Sequence, residues 1–149
     1  MNYKKIFIVI ITGIIVIFAL YFCIHSYANG KVIKRYAEGF KKNPLGDYCK
    51  NTSNTVLCVY DAPLFKTYTN LSVSNSTDKI DLIIWVPLYG ENLKFGLVIT
   101  DDEAKESYEI EVDKNLETNE KEYQDILKKN QDAIDALKSV VREEWGTDL

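Results

Sequence analysis

Uncharged, mostly apolar residues form one unbroken run near the start of the chain, beginning at Ile6 and ending at Ile24. A helix rises 1.5 Å per residue, so a run of this length reaches about 28 Å, close to the roughly 30 Å thickness of a bilayer's hydrocarbon core. The run therefore predicts a transmembrane helix, and the membrane is the first partner that we expect.

Three fates of this run would give different mature proteins. A lipoprotein leader needs a small residue before the lipidated cysteine, but Phe22 precedes Cys23. A cleaved signal peptide fits Ser26 and Ala28, which lie three residues and one residue before a cut after Ala28. Signal-peptide cores are usually shorter than this run. We therefore expect residues 1–28 to be an uncleaved anchor, with cleavage after Ala28 as the alternative.

Helical spacing of apolar residues continues beyond the anchor, from residue 30 to residue 43, with basic residues on the other faces. Pro44 and Gly46 then favour a turn. The pattern predicts a short amphipathic helix that packs on the following domain or, alternatively, binds the membrane surface or a partner. Its apolar positions are Val32, Ile33, Tyr36 and Phe40.

Short β-branched and aromatic runs separated by turn residues follow, which predicts an antiparallel meander. In one run the residues 82–86 are all apolar, as expected for a central strand that is covered on both faces, and Pro87 closes it. Residues 89–92 join this strand to the next as a hairpin. The five predicted strands are residues 55–60, 64–73, 80–88, 93–100 and 108–113.

A broad apolar stripe returns between residues 120 and 145 and predicts one long helix, with Trp145 as its last contact. The helix either lies across one face of the sheet or forms a coiled-coil seam that has Asn130 as a polar position. We favour packing on the sheet. The predicted fold class is α+β: a transmembrane helix, then one domain over residues 29–149 with a mainly antiparallel sheet and a C-terminal helix.

The charge distribution divides the chain. Residues 1–42 contain seven Lys and Arg and one acidic residue, whereas residues 43–149 contain 11 Lys and Arg and 21 acidic residues. An acidic domain repels nucleic acid and attracts basic surfaces, so we expect a basic protein partner and no nucleic acid.

Membrane orientation is less clearly encoded. Basic residues crowd the C-terminal flank of the apolar run, and the positive-inside rule alone would place the domain in the cytoplasm. Lys4 and Lys5 before the run resemble the start of an export signal, and Cys49 and Cys58 lie close together downstream. We therefore expect a single-pass protein of the cell membrane whose domain faces the extracytoplasmic side.

The reactive residues are few. Cys49 and Cys58 could close a disulfide loop that stabilises the fold by about 2.5 to 3 kcal/mol, or remain as free thiols in a reducing compartment. The single histidine, His25, lies at the predicted membrane edge, so histidine-dependent catalysis or metal binding in the domain is not expected. The sequence has no phosphate-binding loop, dinucleotide fingerprint or nucleophile elbow. We expect no catalysis, no cofactor and no metal.

Acidic residues cluster on and just before the last predicted strand. Alternation along the strand places three of them on one face, and the other three occupy the preceding turn. They form either an acidic recognition surface for a basic protein or a charged edge strand that resists self-pairing. The six residues are Asp101, Asp102, Glu103, Glu109, Glu111 and Asp113.

These features favour a membrane-anchored, extracytoplasmic binding module without catalysis. An immunity or inhibitor protein that neutralises a toxin at the membrane is its most concrete version, by analogy of architecture. The alternatives are a structural subunit of an envelope, secretion or fusion assembly, and a hydrolase that uses carboxylates alone.

Overall fold

A computed structural model of the protein describes residues 3–52, 54–75, 77–101 and 105–146. The helices and strands of these residues, in chain order, are α1 (Tyr3–Tyr36), β1 (Lys41–Lys42), β2 (Tyr48–Asn51), β3 (Thr55–Val59), β4 (Tyr68–Asn75), β5 (Ile80–Pro87), β6 (Lys94–Asp101), β7 (Glu106–Val112), α2 (Lys121–Lys129) and α3 (Gln131–Trp145).

The strands form one sheet in the order β1 to β7, and each strand pairs antiparallel with the next. The α+β class and the antiparallel meander are therefore confirmed, but the predicted number of about five strands is wrong, because the described residues form a sheet of seven. The additional strands β1 and β2 have two and four residues. They are too short, and β1 too polar, to show the alternation that marks a strand in a sequence.

One face of the sheet is covered and contains the core. Alternate residues of β4 and β5 are buried, and Leu71 and Ile84 are fully inaccessible to solvent. Helix α3 lies against these two strands and contributes Ile134, Leu137 and Val141 to the same core. Because side chains alternate along each strand, the residues between these buried ones lie on the opposite face of the sheet.

Helix α1 is long and apolar enough to cross a membrane. The most apolar 18-residue window within its 34 residues has a mean hydropathy of 3.0, and its residues are not buried by the rest of the protein.

The helix continues without a break into the domain, so the short second helix predicted over residues 30–43 does not exist as a separate element. Val32 and Tyr36 are buried in the core, so the apolar stripe packs on the domain as expected. Helix α1 ends at Tyr36, and Gly39 then adopts a φ of 78°, which favours glycine and turns the chain toward β1.

The predicted single C-terminal helix is divided into α2 and α3 at Asn130, which corrects the expectation of one long helix. The Asn130 side-chain amide donates to the Ile126 carbonyl oxygen over 2.8 Å, and the Asn130 backbone amide is shared between the Ile126 and Leu127 carbonyls. An asparagine side chain competes with the backbone in this way and interrupts a helix. At the end of α3, the Trp145 indole nitrogen donates to the Tyr36 carbonyl oxygen over 2.8 Å and ties α3 to α1.

Candidate binding face of the sheet

The second face of the sheet, here called the open face, has mostly exposed or half-buried side chains. The expectation that β5 is covered on both faces is therefore wrong. It includes Ile83 and Trp85 of β5, which are half-buried, and Glu109 and Glu111 of β7, which are exposed. Strand register places Ser72, Ile83, Gly96 and Glu111 in one row across four strands. The open face is therefore a continuous surface from β4 to β7.

A groove of about 620 Å³ lies on the open face. Trp85 and Val98 give it an apolar lining, while Lys94, Glu109 and Glu111 supply charged groups. An apolar depression with a few charged groups at its border is typical of a ligand- or peptide-binding surface.

The groove depends on a glycine. A Cβ atom placed on Gly96 would lie 2.6 and 2.8 Å from two ring carbons of Trp85, closer than packed carbon atoms approach. The indole of Trp85 therefore lies directly over the Gly96 backbone, as occurs where a strand glycine leaves room for an aromatic ring. Because Gly96 faces Glu111 in the register, the ring extends toward the acidic strand.

Glu109 and Glu111 are the two predicted acidic residues that the structure places on the open face. They lie directly across from Val98 and Gly96. Within the described part of the chain, neither carboxylate takes part in an ion pair or hydrogen bond. Strand β7 is also an edge strand, so its charges would oppose pairing with another chain as well.

The other predicted acidic residues do not join them. Asp102 and Glu103 lie outside the described residues. Asp101, at the end of β6, approaches Lys129 of α2 with 3.5 Å between the carboxylate and ammonium groups, so it belongs to the helix-covered side. The structure thus brings together only part of the predicted acidic surface.

Asp113 follows the end of β7 and shapes a turn. Its carboxylate accepts the backbone amides of Asn115 and Glu117 over 2.8 and 3.0 Å. These hydrogen bonds, led by the one from Glu117, lower the pKa of the Asp113 carboxyl below its ordinary value. The turn places Leu116 in the core, which gives this carboxylate a structural role.

A second shifted group lies on the covered side of β7. The Tyr108 hydroxyl donates to the Glu106 carboxylate over 2.5 Å. This hydrogen bond to a negative group is the main cause that raises the pKa of Tyr108. The pair belongs to the side opposite Glu109 and Glu111, because side chains alternate along the strand.

Cys49 and Cys58 form a disulfide, as predicted. They are directly paired residues of β2 and β3, and Cys58 faces Ser72 of β4, so the disulfide belongs to the same row as Gly96 and Glu111. Cys23 is a free, exposed cysteine on α1.

His25 is buried, at 4% exposure, and its Nε2 atom lies 3.2 Å from the Lys66 carbonyl oxygen. Among the described residues, no three His, Cys, Asp or Glu side chains gather as a metal-ion site. The groups that the open face presents to a ligand are the Trp85 ring for stacking, Val98 for apolar contact, and the Glu109 and Glu111 carboxylates for electrostatic attraction.

Sequence reasoning did not identify Trp85 and Gly96 as parts of a site. The signal lay in the predicted hairpin at residues 89–92, because its register determines that Trp85 pairs with Lys94 and that the ring reaches Gly96. A single-residue shift would have moved these side chains to the other face.

Comparison with known proteins assigns no family to this chain. No family model matches it, and no curated protein or solved structure matches it significantly.

Proposed function

We propose that this protein is a membrane-anchored, extracytoplasmic binding module without catalytic activity, and that its open face takes up a basic segment of another protein. The main support for the proposal is the groove in which the Trp85 ring lies beside the carboxylates of Glu109 and Glu111, which have no ion-pair partner among the described residues.

The chemistry of the groove matches an arginine side chain. A guanidinium group stacks on aromatic rings and binds carboxylates through two hydrogen bonds, so one arginine could contact Trp85 and Glu111 together. The net negative charge of residues 43–149 would attract such a segment from a distance. Lys94 also lines the groove, and its positive charge would select against an arginine placed beside it.

The extracytoplasmic location is supported by the Cys49–Cys58 disulfide, because disulfides persist in oxidising compartments. A membrane-impermeant thiol reagent should label these cysteines on intact cells only after reduction. Labelling of both thiols without any reductant, and only after lysis, would place the domain in the cytoplasm.

A defined basic peptide tests the binding site. We expect an Arg-rich peptide to change the tryptophan fluorescence of the full chain in nanodiscs, and the affinity to fall as salt rises. The double variant Glu109→Lys with Glu111→Lys should weaken binding at least about tenfold, and Lys94→Glu should strengthen it.

A matched control reverses two exposed charges on the covering helices, Asp125→Lys with Glu143→Lys, which changes the net charge equally. This control should lose only the long-range part of the attraction. Equal weakening in both double variants would mean that net charge, and not the groove, binds the peptide, and the proposal would then be wrong.

The most concrete version of the proposal is an immunity or inhibitor protein that neutralises a basic toxin at the membrane. A toxin gene beside the gene for this chain, together with protection that is lost in the Glu109→Lys and Glu111→Lys variant, would support this version. Protection that survives the double variant would contradict it.

A further inference from the structure

The segment between β3 and β4 lies along helix α1. The Asn29 side chain donates to the Asp61 carboxylate over 2.8 Å and accepts the Ala62 backbone amide over 3.2 Å. Four residues nearer the N-terminus of α1, His25 contacts the Lys66 carbonyl oxygen.

A third contact lies four residues further along the same face of α1. The rings of Tyr21 and Phe65 are stacked, with 5.8 Å between their centres and an interplanar angle of 11°. Positions 21, 25 and 29 fall on one helix face. From Asn29 to Tyr21 the contacts descend by about 12 Å along the helix axis, so the segment approaches the apolar end of α1.

The part of the segment that lies nearest the apolar end of α1 is itself apolar and exposed. Leu64 is 47% exposed and Phe65 is 66% exposed. Phe65 also has a φ of 73°, in a turn closed by the Lys66 amide and the Pro63 carbonyl oxygen. Glycine or asparagine is the usual residue at such a turn position. Two adjacent, exposed apolar side chains, one of them at a strained backbone position, favour a contact outside the domain.

The position of Tyr21 identifies that contact. Tyr21 lies within the uncharged run that ends at Ile24, three residues or about 4.5 Å inside its end. Phe65, stacked on Tyr21, lies at the same depth. Lys66 follows Phe65 directly in the sequence, and a basic residue at this level favours anionic headgroups.

We infer that the turn at Leu64 and Phe65 inserts into the interfacial layer of the bilayer beside α1, as a second membrane contact of the domain. Aromatic residues concentrate at this layer, and insertion would bury the two apolar side chains while Lys66 reaches the lipid phosphates. The domain would then be held to the bilayer at two points, the helix and the turn, whichever side of the membrane it faces.

Brominated lipids test this inference on the full chain. The variant Phe65→Trp is placed in nanodiscs of phosphatidylcholine and phosphatidylglycerol, with bromine near the headgroup end of the acyl chains. We expect the emission added at position 65 to fall about twofold, since interfacial side chains lie about 5 to 10 Å deep. The wild-type chain supplies the background of Trp85 and Trp145.

The matched control is Thr77→Trp. Thr77 is exposed in the turn after β4, at the opposite end of the strand, about 23 Å from the end that begins at Tyr68. Its added emission should be unaffected by bromine. If Phe65→Trp does not fold, Leu64→Trp carries the same expectation.

Two outcomes would overturn the inference. In the first, brominated lipid quenches the tryptophan at position 65 no more than the tryptophan at position 77, and acrylamide in water quenches the tryptophan at position 65 fully. In the second, the tryptophan at position 65 is shielded from acrylamide but unaffected by brominated lipid. The turn would then contact protein, such as a second copy of this chain, and not lipid. Neither outcome involves the basic peptide, so this test is independent of the proposed function.

Discussion

Ile83 and Ile84 are the same residue type one position apart in β5, but they lie on opposite faces of the sheet. Ile84 is fully inaccessible beneath the helices, whereas Ile83 is half-buried in the groove of the open face. The covered face therefore sets most of the stability of the domain, and the open face remains available for contact with a partner.

Truncating each isoleucine tests this division most strongly. We expect Ile84→Ala to lower the free energy of unfolding by about 3 to 4 kcal/mol, because it leaves a cavity in the core. Ile83→Ala should cost only about 1 kcal/mol, because its side chain is already partly hydrated. Guanidinium unfolding of the full chain in detergent, followed by tryptophan fluorescence, measures both. Equal losses would mean that the two faces contribute alike.

A smaller effect is expected where the open face is shaped by Gly96. Gly96→Ala should force the Trp85 ring to move and lower the free energy of unfolding by about 1 to 2 kcal/mol. The tryptophan emission of the folded protein should change as well, because the ring becomes more hydrated.

Gly30→Ala is the control for this substitution. A Cβ on Gly30 meets no atom within 4 Å, and alanine in a helix interior is favoured over glycine by about 0.5 to 1 kcal/mol. This variant should be as stable as the wild type or slightly more stable. If Gly96→Ala left both stability and emission unchanged, the close contact between Gly96 and Trp85 would be disproved.

The smallest expected effect concerns Asp113, whose carboxylate stabilises the turn after β7, unlike the exposed carboxylates of Glu109 and Glu111 on the open face. The pKa of Asp113 is lowered in the folded state, so the unfolded chain binds the proton more readily. Its contribution to stability is present above the ordinary pKa of 3.8 and is lost as the pH falls through the lower folded value. The variant Asp113→Asn should therefore show a shallower loss of stability in this acidic range.

Unfolding curves at a series of pH values from neutral to about 2 measure this slope. Asparagine keeps an oxygen that can accept the two amides, so the turn should persist and only the pH dependence should change. A slope identical to that of the wild type would show that the Asp113 carboxylate contributes nothing in this range.

Local sequence patterns predicted the elements in which residue types recur regularly along the chain. The strands β3 to β7 could be predicted from short β-branched and aromatic runs, because such runs depend on strand geometry alone. The disulfide was predicted from the short separation of Cys49 and Cys58 in the sequence, without knowledge of β2. The two-residue strand β1 could not be predicted, since it has no period to detect. The break at Asn130 depends on one side chain competing for a carbonyl, a choice that an apolar stripe does not reveal.

The candidate site was less predictable than the fold. Glu109 and Glu111 were correctly assigned to one strand face, but Asp101 lies on the other side of the sheet and Asp113 is engaged in a turn. Trp85 and Gly96 become neighbours only through the register of β5 and β6. The docking of residues 61–66 on α1 depends on contacts distant in sequence, which no local pattern specifies.

The absence of a break in α1 between Tyr3 and Tyr36 has a mechanical consequence. A domain on a flexible linker explores many heights and angles above a bilayer, whereas one joined through a continuous helix turns and tilts as that helix does. The groove would be presented at a nearly constant height, so a partner that diffuses along the membrane would search for it in two dimensions.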